Sequence, residues 1–171
     1  MNTNLTIKNL GSDAVSAIVD AFAKSNWTEK PTSIFEKYLE EQDKGERIVW
    51  LAFYDNKFSG YVTLKWQSLY KPFFQESIPE IVDLNVLPEF RNQGIATILL
   101  DKCEAMAATK SVVVGIGVGL YPDYGAAQRL YVKRGYIPDA KGATYNYDPV
   151  VPGDKYALDD DLIIWFTKKL I

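Results

Sequence analysis

The chain has 171 residues, 47% hydrophobic and 24% charged, with a formal net charge of -3. We read this as one globular domain, 1–171, with apolar material for a sizeable core. No basic stripe marks a nucleic-acid partner, and no apolar run nears the roughly 18 residues of a membrane span. There is no histidine, and Cys103 is the single cysteine. An internal disulfide is therefore impossible and zinc chemistry is nearly excluded, so we expect no metal. Proton transfer falls to carboxylates, tyrosine, lysine, the thiol or water. A lone thiol without a signal-peptide pattern leads us to expect a cytoplasmic protein.

Leu5–Leu10 alternates as an opening strand. The spacing then turns helical, with Val15, Ile18, Val19 and Phe22 on one face and Ser12 or Asp13 as cap. A second helix follows, "PTSIFEKYLEEQ". Ser33 and Glu36 fit a capping box there, and Phe35, Tyr38 and Leu39 form an apolar stripe. "RIVWLAFYDNKFSGYVTLKW" reads as a hairpin turning at Asp55-Asn56-Lys57. A loop carrying Tyr70, Phe73 and Phe74 leads into the strand "EIVDLNVL", which Pro88 ends. Helical spacing runs from Gln93 to about Thr109, with Ala96, Leu99, Leu100, Cys103 and Met106 on one face.

"SVVVGIGVGL" is a buried strand, and its three alternate glycines leave one face smooth for a close neighbour. A helix over "YGAAQRLYVKRG" carries Ala127, Leu130 and Tyr131 on one side and closes at Gly135. From Ile137 to Asp160 the chain is rich in Pro, Gly and Asp and reads mostly as loop, before a last strand, "LIIWFTKKL". This order predicts an α/β sandwich around a central mixed sheet.

The junction "RNQGIA", Arg91 to Ala96, opens the helix after "EIVDLNVL". The first turn of a helix offers amides without intrahelical partners and the positive end of the dipole, so a phosphate is a natural ligand. Gly94 and Ala96 let a ligand approach the backbone, and Arg91 adds a cation. A tight turn with no ligand explains the same hexapeptide. No Gly-Lys-Ser/Thr follows, so it is not a P-loop, and "GIGVG" has the wrong spacing for a dinucleotide fingerprint.

Strand, turn and helix together resemble the acetyl-CoA motif of the GNAT N-acetyltransferase superfamily, Gln/Arg-x-x-Gly-x-Gly/Ala. Ala127, Leu130, Tyr131, Gly135 and Tyr136 resemble its later motif, Ala-x-x-Leu-Tyr-x-x-x-Gly-Phe/Tyr. The resemblance runs from about Ile81 to Tyr136. It implies a mixed, mostly antiparallel twisted α+β sheet of about six or seven strands, with four or so helices on both faces. It also implies acetyl transfer from acetyl-CoA, as cosubstrate, to a small-molecule or peptide amine, and is compatible with a homodimer. The backbone of Asn92, Gln93, Gly94, Ile95, Ala96 and Thr97, beside Arg91, would hold the pyrophosphate. Leu84, Asn85 and Val86 would pair with the pantetheine arm where their strand splays from the one at Val114, and Ala127 would line the cofactor.

Tyr131 holds the family position for a residue that hydrogen-bonds or protonates the leaving sulfur. A lysine-like acceptor, with a pKa of about 10.4, must lose a proton before it attacks. Glu80 and Asp83 are the candidate bases. Asp83 sits among Ile81, Val82 and Leu84, where a carboxylate is costly unless paired or used, while Glu80 stands at the strand's edge as an ordinary solvated charge. Strict alternation puts the two on opposite faces, and we prefer Asp83. Where the family often has asparagine ahead of the tyrosine, this chain has Tyr124.

Trp27, Tyr70, Phe73, Phe74, Tyr145 and Tyr147 are candidates for the acceptor pocket or for packing beneath loops, and Asp159, Asp160 and Asp161 for attracting a cationic amine. Cys103 reads as core. Direct transfer in a ternary complex is expected. A non-catalytic acyl-CoA sensor on the same fold and a nucleotide-binding α/β protein are the alternatives.

Overall fold

A computed structural model of the protein describes residues 4–25, 27 and 30–170. Among them lie eight strands: β1 (Leu5–Asn9), β2 (Arg47–Tyr54), β3 (Lys57–Lys65), β4 (Glu80–Val86), β5 (Val113–Gly119), β6 (Ile137–Tyr145), β7 (Asp148–Pro149) and β8 (Leu162–Lys169). Five α-helices join them: α1 (Val15–Lys24), α2 (Thr32–Asp43), α3 (Lys71–Gln75), α4 (Ile95–Ala107) and α5 (Gly125–Lys133). The strands hydrogen-bond in the order β1-β2-β3-β4-β5-β8-β6-β7. The β4–β5 pair is parallel, while β1–β2, β2–β3, β5–β8, β8–β6 and β6–β7 are antiparallel. This is the expected mixed, mostly antiparallel α+β sheet. The count exceeds expectation through α3 and β7, which are too short to carry a periodic signal. The chain groups into two compact units, the first running to Lys65 and from Val82 to Met106, the second holding Trp66–Ile81 and everything from Ala107 on.

In the first unit, Asp55 and Asn56 both take left-handed backbone angles (φ 48° and 61°), the conformation of a tight hairpin turn, and join β2 to β3. Val15, Ile18 and Phe22 of α1 and Phe35 and Tyr38 of α2 pack with Val49, Leu51, Phe58 and Tyr61 of the hairpin. Burial of each large apolar side chain in such a core is worth about 2 kcal/mol. The side-chain caps expected at Ser12 or Asp13 and at Ser33 are not used. A short 3-10 turn, Ser12–Ala14, precedes α1, and Pro31 caps α2 with no side-chain bond. At Gly60, a Cβ would meet the Asn85 carbonyl oxygen at 2.4 Å, so the glycine admits β4 against β3. α4 starts at Ile95 rather than Gln93, because Gly94 is left-handed (φ 80°) and lies outside the helix.

In the second unit, β4 pairs with β5 through Glu80–Gly115 and Ile81–Ile116, and β8 runs the length of β5 from Val113–Lys169 to Gly119–Ile163. The tail read as loop is in large part strand. β6 pairs with both ends of β8, from Ile137–Thr167 and Pro138–Phe166 to Tyr145–Leu162, with a register shift after Pro138. Its Pro and Gly sit at that irregularity, where strands tolerate them, which is why composition misled.

The smooth face of β5 is also not vacant. A Cβ on Gly115 would lie 2.1 Å from the Phe73 ring, on Gly117 2.9 Å from Trp165, and on Gly119 2.4 Å from Tyr124. Those glycines make room for aromatic side chains, not for a backbone or ligand.

Candidate active site

The turn ahead of α4 is built by two left-handed residues. Asn92 (φ 61°) is of the residue type that best tolerates that region after glycine, and Gly94 (φ 80°) follows it. A Cβ on Gly94 would meet nothing within 4 Å, so the backbone there is open on that side. The helical ladder begins with Ile98 N–H donating to the Gly94 carbonyl (3.1 Å), and the amides of Ile95 and Ala96 stand ahead of it. Ile95 is buried, which anchors the turn, while Ala96 and Thr97 are half-buried and Asn92 exposed. This is an anion-binding shape: an open glycine at the positive end of a thirteen-residue helix.

Arg91 does more than supply charge. Its Nε donates to the Val86 carbonyl (3.1 Å), and its guanidinium lies 4.5 Å from the centre of the Trp27 ring. The arginine thus ties the end of β4 to the turn, and Trp27 supports the arginine rather than standing alone as a pocket wall. Leu84, Asn85 and Val86 are all half-buried. Gln93 reaches back to the Glu89 carbonyl (3.5 Å).

The two carboxylates of β4 exchange the environments expected of them. Glu80 is the buried one, 6% exposed, and accepts a hydrogen bond from Ser68 Oγ at 2.5 Å, while Ser68 Oγ in turn accepts from the Tyr70 amide (2.9 Å). The edge-of-strand, solvated reading of Glu80 is therefore wrong, since a side-chain donor makes its burial tolerable. Asp83 is half-buried, and one of its oxygens accepts from the Tyr38 hydroxyl. Asp83 is itself left-handed (φ 55°), so the regular alternation used to assign the two carboxylates to opposite faces does not run through it.

Behind Asp83 stands a set of residues with no motif to announce it. The Arg47 guanidinium is centred 4.3 Å from the Tyr38 ring centroid, with Nε on Glu41 (2.5 Å) and another nitrogen on Thr63 Oγ1 (2.6 Å). Burial first, and the Asp83 charge second, push the Tyr38 phenol well above its ordinary range. Tyr61 is shifted the same way by the same two causes in the same order. The signal was present but mute: a tyrosine on a core-facing stripe needs a partner for its hydroxyl, and sequence spacing does not say which.

In the second unit, Tyr131 lies on α5, 5% exposed, with its ring 5.9 Å from Tyr136. Ala127 is half-buried on the same helix, which Gly135 (φ 85°) ends as expected. Tyr124, the departure from the family pattern, packs its ring against Gly119 and donates to Asp160 (2.8 Å). Tyr121 also donates to Asp160, and Tyr145 donates to Asp159 (2.9 Å), so these two carboxylates are tied by phenols. Tyr70 stacks on Trp165 (4.2 Å between centroids, 3° between planes), and Phe73 and Tyr147 pack on the same indole, while Phe74 is exposed. Tyr70, Phe73 and Tyr147 are packing residues. Cys103 is wholly buried, and burial pushes its thiol up. No helix among the described residues is long and apolar enough to cross a membrane.

A mixed sheet carrying this strand, turn and helix defines an acyltransferase fold, and comparison with known proteins agrees. The acetyltransferase (GNAT) family profile matches residues 12–136, and the chain belongs to that family. No curated protein matches the sequence. Among solved structures, it is similar to an N-acetyltransferase from Staphylococcus aureus Mu50 (16% identity, 99% of this chain and 100% of that one, TM-score 0.72). It is similar to YncA of Salmonella typhimurium, solved with acetyl-CoA (18% identity, 99% and 95%, TM-score 0.68). It is also similar to the Salmonella typhimurium acetyl transferase that modifies the N-terminal serine of ribosomal protein L7/L12 (13% identity, 99% and 96%, TM-score 0.73). At such identities the likeness is one of fold.

Proposed function

We propose that the chain, as a single domain, is an N-acetyltransferase that moves the acetyl group of acetyl-CoA to a primary amine of a small molecule or peptide. The observation that carries this reading is the turn at Gly94. It is left-handed, open where a side chain would stand, and set at the start of α4 within the family-matched residues. Main-chain amides of residues 92–97 would hold the pyrophosphate. Arg91 would hold the end of β4 and the turn in register, and Leu84–Val86 would meet the pantetheine arm through main-chain groups, with Ala127 lining the cofactor from α5.

The chemistry asked of the side chains is small. Removing a proton from an amine of pKa about 10.4 costs roughly 4–5 kcal/mol at neutral pH, which is where a base contributes. Asp83 takes a proton from the acceptor nitrogen as that nitrogen forms its bond to the thioester carbonyl carbon. The carbon–sulfur bond breaks, and the Tyr131 hydroxyl hydrogen-bonds or protonates the departing sulfur. Asp83 is preferred to Glu80 because it is half-buried and so open in part to an acceptor, whereas Glu80 is only 6% exposed and bonded to Ser68.

Calorimetric titration with acetyl-CoA, repeated with Gly94→Arg, tests the cradle. Binding by the wild type and loss in the variant is the expected result. Absence of binding by the wild type would remove the enzyme reading altogether. Tight binding with no thiol release against any amine would leave an acyl-CoA sensor.

A further inference from the structure

We infer that Tyr38 and Tyr61 are positioning residues for the Asp83 carboxylate, joined to it by one buried water. This rests on the reading of Asp83 as the base.

The Tyr61 hydroxyl is the observation that carries it. Tyr61 is fully buried, and its oxygen has no hydrogen-bond partner among the described residues. Phenylalanine would fill the same space against Phe22 (5.9 Å) and Phe35 (5.4 Å) without leaving a polar atom unmet. A buried hydroxyl left unsatisfied is costly, and native proteins keep few of them. Tyr38, whose hydroxyl donates to Asp83, packs on the same Phe35 ring as Tyr61, and the Leu87 amide donates to the Ser59 carbonyl, which runs β4 alongside the β3 segment that carries Tyr61.

Phe35 lies 6.0 Å from Tyr38 and 5.4 Å from Tyr61, edge to face with both. Tyr38 already donates to one Asp83 oxygen. A carboxylate has about four lone-pair sites, so one donor does not saturate it. A water bonded to Tyr61 Oη, Tyr38 Oη and the carboxylate has three partners, the usual number for a buried water.

The device orients the base. Arg47, stacked over Tyr38 and held by Glu41 and Thr63, fixes the Tyr38 ring. Tyr38 holds one carboxylate oxygen, and the Tyr61-bound water adds a second donor to the same group. When the acceptor's N–H bond breaks, the proton goes to an Asp83 lone pair that neither donor occupies, and both phenols keep their own protons.

The test uses Tyr38→Phe, Tyr61→Phe, Asp83→Asn and the two doubles containing Asp83→Asn. Urea unfolding is measured for each. Thiol release from acetyl-CoA is measured with three probe amines: spermidine, Nα-acetyl-lysine amide and an alanyl peptide. In the wild-type background each Phe variant lowers kcat by about tenfold to a hundredfold, with acetyl-CoA affinity unchanged. In the Asp83→Asn background the same change moves the residual rate less than about twofold. Tyr61→Phe lowers the urea midpoint, and that loss shrinks when Asp83 is Asn.

A Tyr61→Phe protein of equal or higher midpoint overturns the water bridge, since the hydroxyl then has no partner in solution. An equal fold-loss of rate in both backgrounds overturns the positioning role. If the wild type binds acetyl-CoA and the unfolding coupling is present, yet none of the three amines turns over, the transfer reading fails. The positioning role then falls with it.

Discussion

The carbonyl oxygen of Asn85 occupies the place where a side chain on Gly60 would begin, 2.4 Å from an ideal Cβ, with Val86 Cα at 3.0 Å. Backbone cannot step aside as a flexible side chain does. Gly60→Ala therefore forces β3 from the segment of β4 assigned to the pantetheine arm. We expect a loss of about 1–3 kcal/mol, the usual range for overpacking, and a Tm lower by roughly 3–10 °C. Acetyl-CoA affinity should fall in the same variant. Unchanged affinity alongside a lowered Tm would dissociate Leu84–Val86 from the cofactor.

Gly94 gives a contrast, because there the space is open and the backbone angle is the constraint. Gly94→Ala should cost about 1–2 kcal/mol from left-handed strain and keep most of its acetyl-CoA binding. Gly94→Arg adds bulk at the cradle itself and should weaken binding by at least about a hundredfold. Calorimetry separates the two. Equal weakening by Ala and Arg would show that strain, not obstruction, is responsible.

Glu80→Gln and Asp83→Asn divide structure from chemistry on one strand. The first keeps an acceptor for Ser68 and should cost about 1–2 kcal/mol of stability with kcat within a few-fold of wild type. The second should lower kcat by about a hundredfold or more while acetyl-CoA still binds. The reverse pattern would move the base to Glu80. Tyr131→Phe should lower kcat by about a hundredfold or more without changing acetyl-CoA affinity, and an unchanged kcat would remove its role as acid.

Gly115→Ala places a methyl 2.1 Å from the Phe73 ring, which is itself packed against Tyr70 and Trp165. Destabilisation of about 1–3 kcal/mol is expected. Adding Phe73→Leu should recover part of it, since the two sites share one volume. Strict additivity in urea unfolding would mean that Phe73 is not what Gly115 makes room for.

The phenols of Tyr38, Tyr61 and Tyr124 are all raised, in each case by burial first. In the unfolded chain they titrate near 10. Above that pH the unfolded state has lost protons that the native state keeps, so stability falls as pH rises. Below about pH 10 their contribution is fully present. Absorbance of the native protein near 295 nm should therefore rise by less than eleven tyrosines require, and the remainder should appear on unfolding. Full titration of the native protein near pH 10 would contradict this.

The shape of the turn before α4 was legible because its logic is local: a small residue, a helix start and a cation within one hexapeptide. Tyr131 and Gly135 were legible for a similar reason, through one helix and its end. Strand β6 was hidden, because Pro138 and Gly142 lie at a register shift that composition alone cannot distinguish from a loop. The surroundings of Asp83 were hidden for a different reason. Tyr38 lies forty-five residues away on α2, and nothing in helical spacing tells which carboxylate a core-facing phenol will reach. Glu80 was misjudged because burial at a strand's end depends on a serine twelve residues earlier.

Cys103 lies on α4 with no exposure at all. Two things follow for anyone working with the protein. A disulfide reagent added to follow coenzyme A release reads the product and not the enzyme. And because the sulfur is shielded whenever α4 is seated, the slow reaction of that one thiol under native conditions counts the rare openings of its surroundings, a built-in clock for the helix that follows the Gly94 turn.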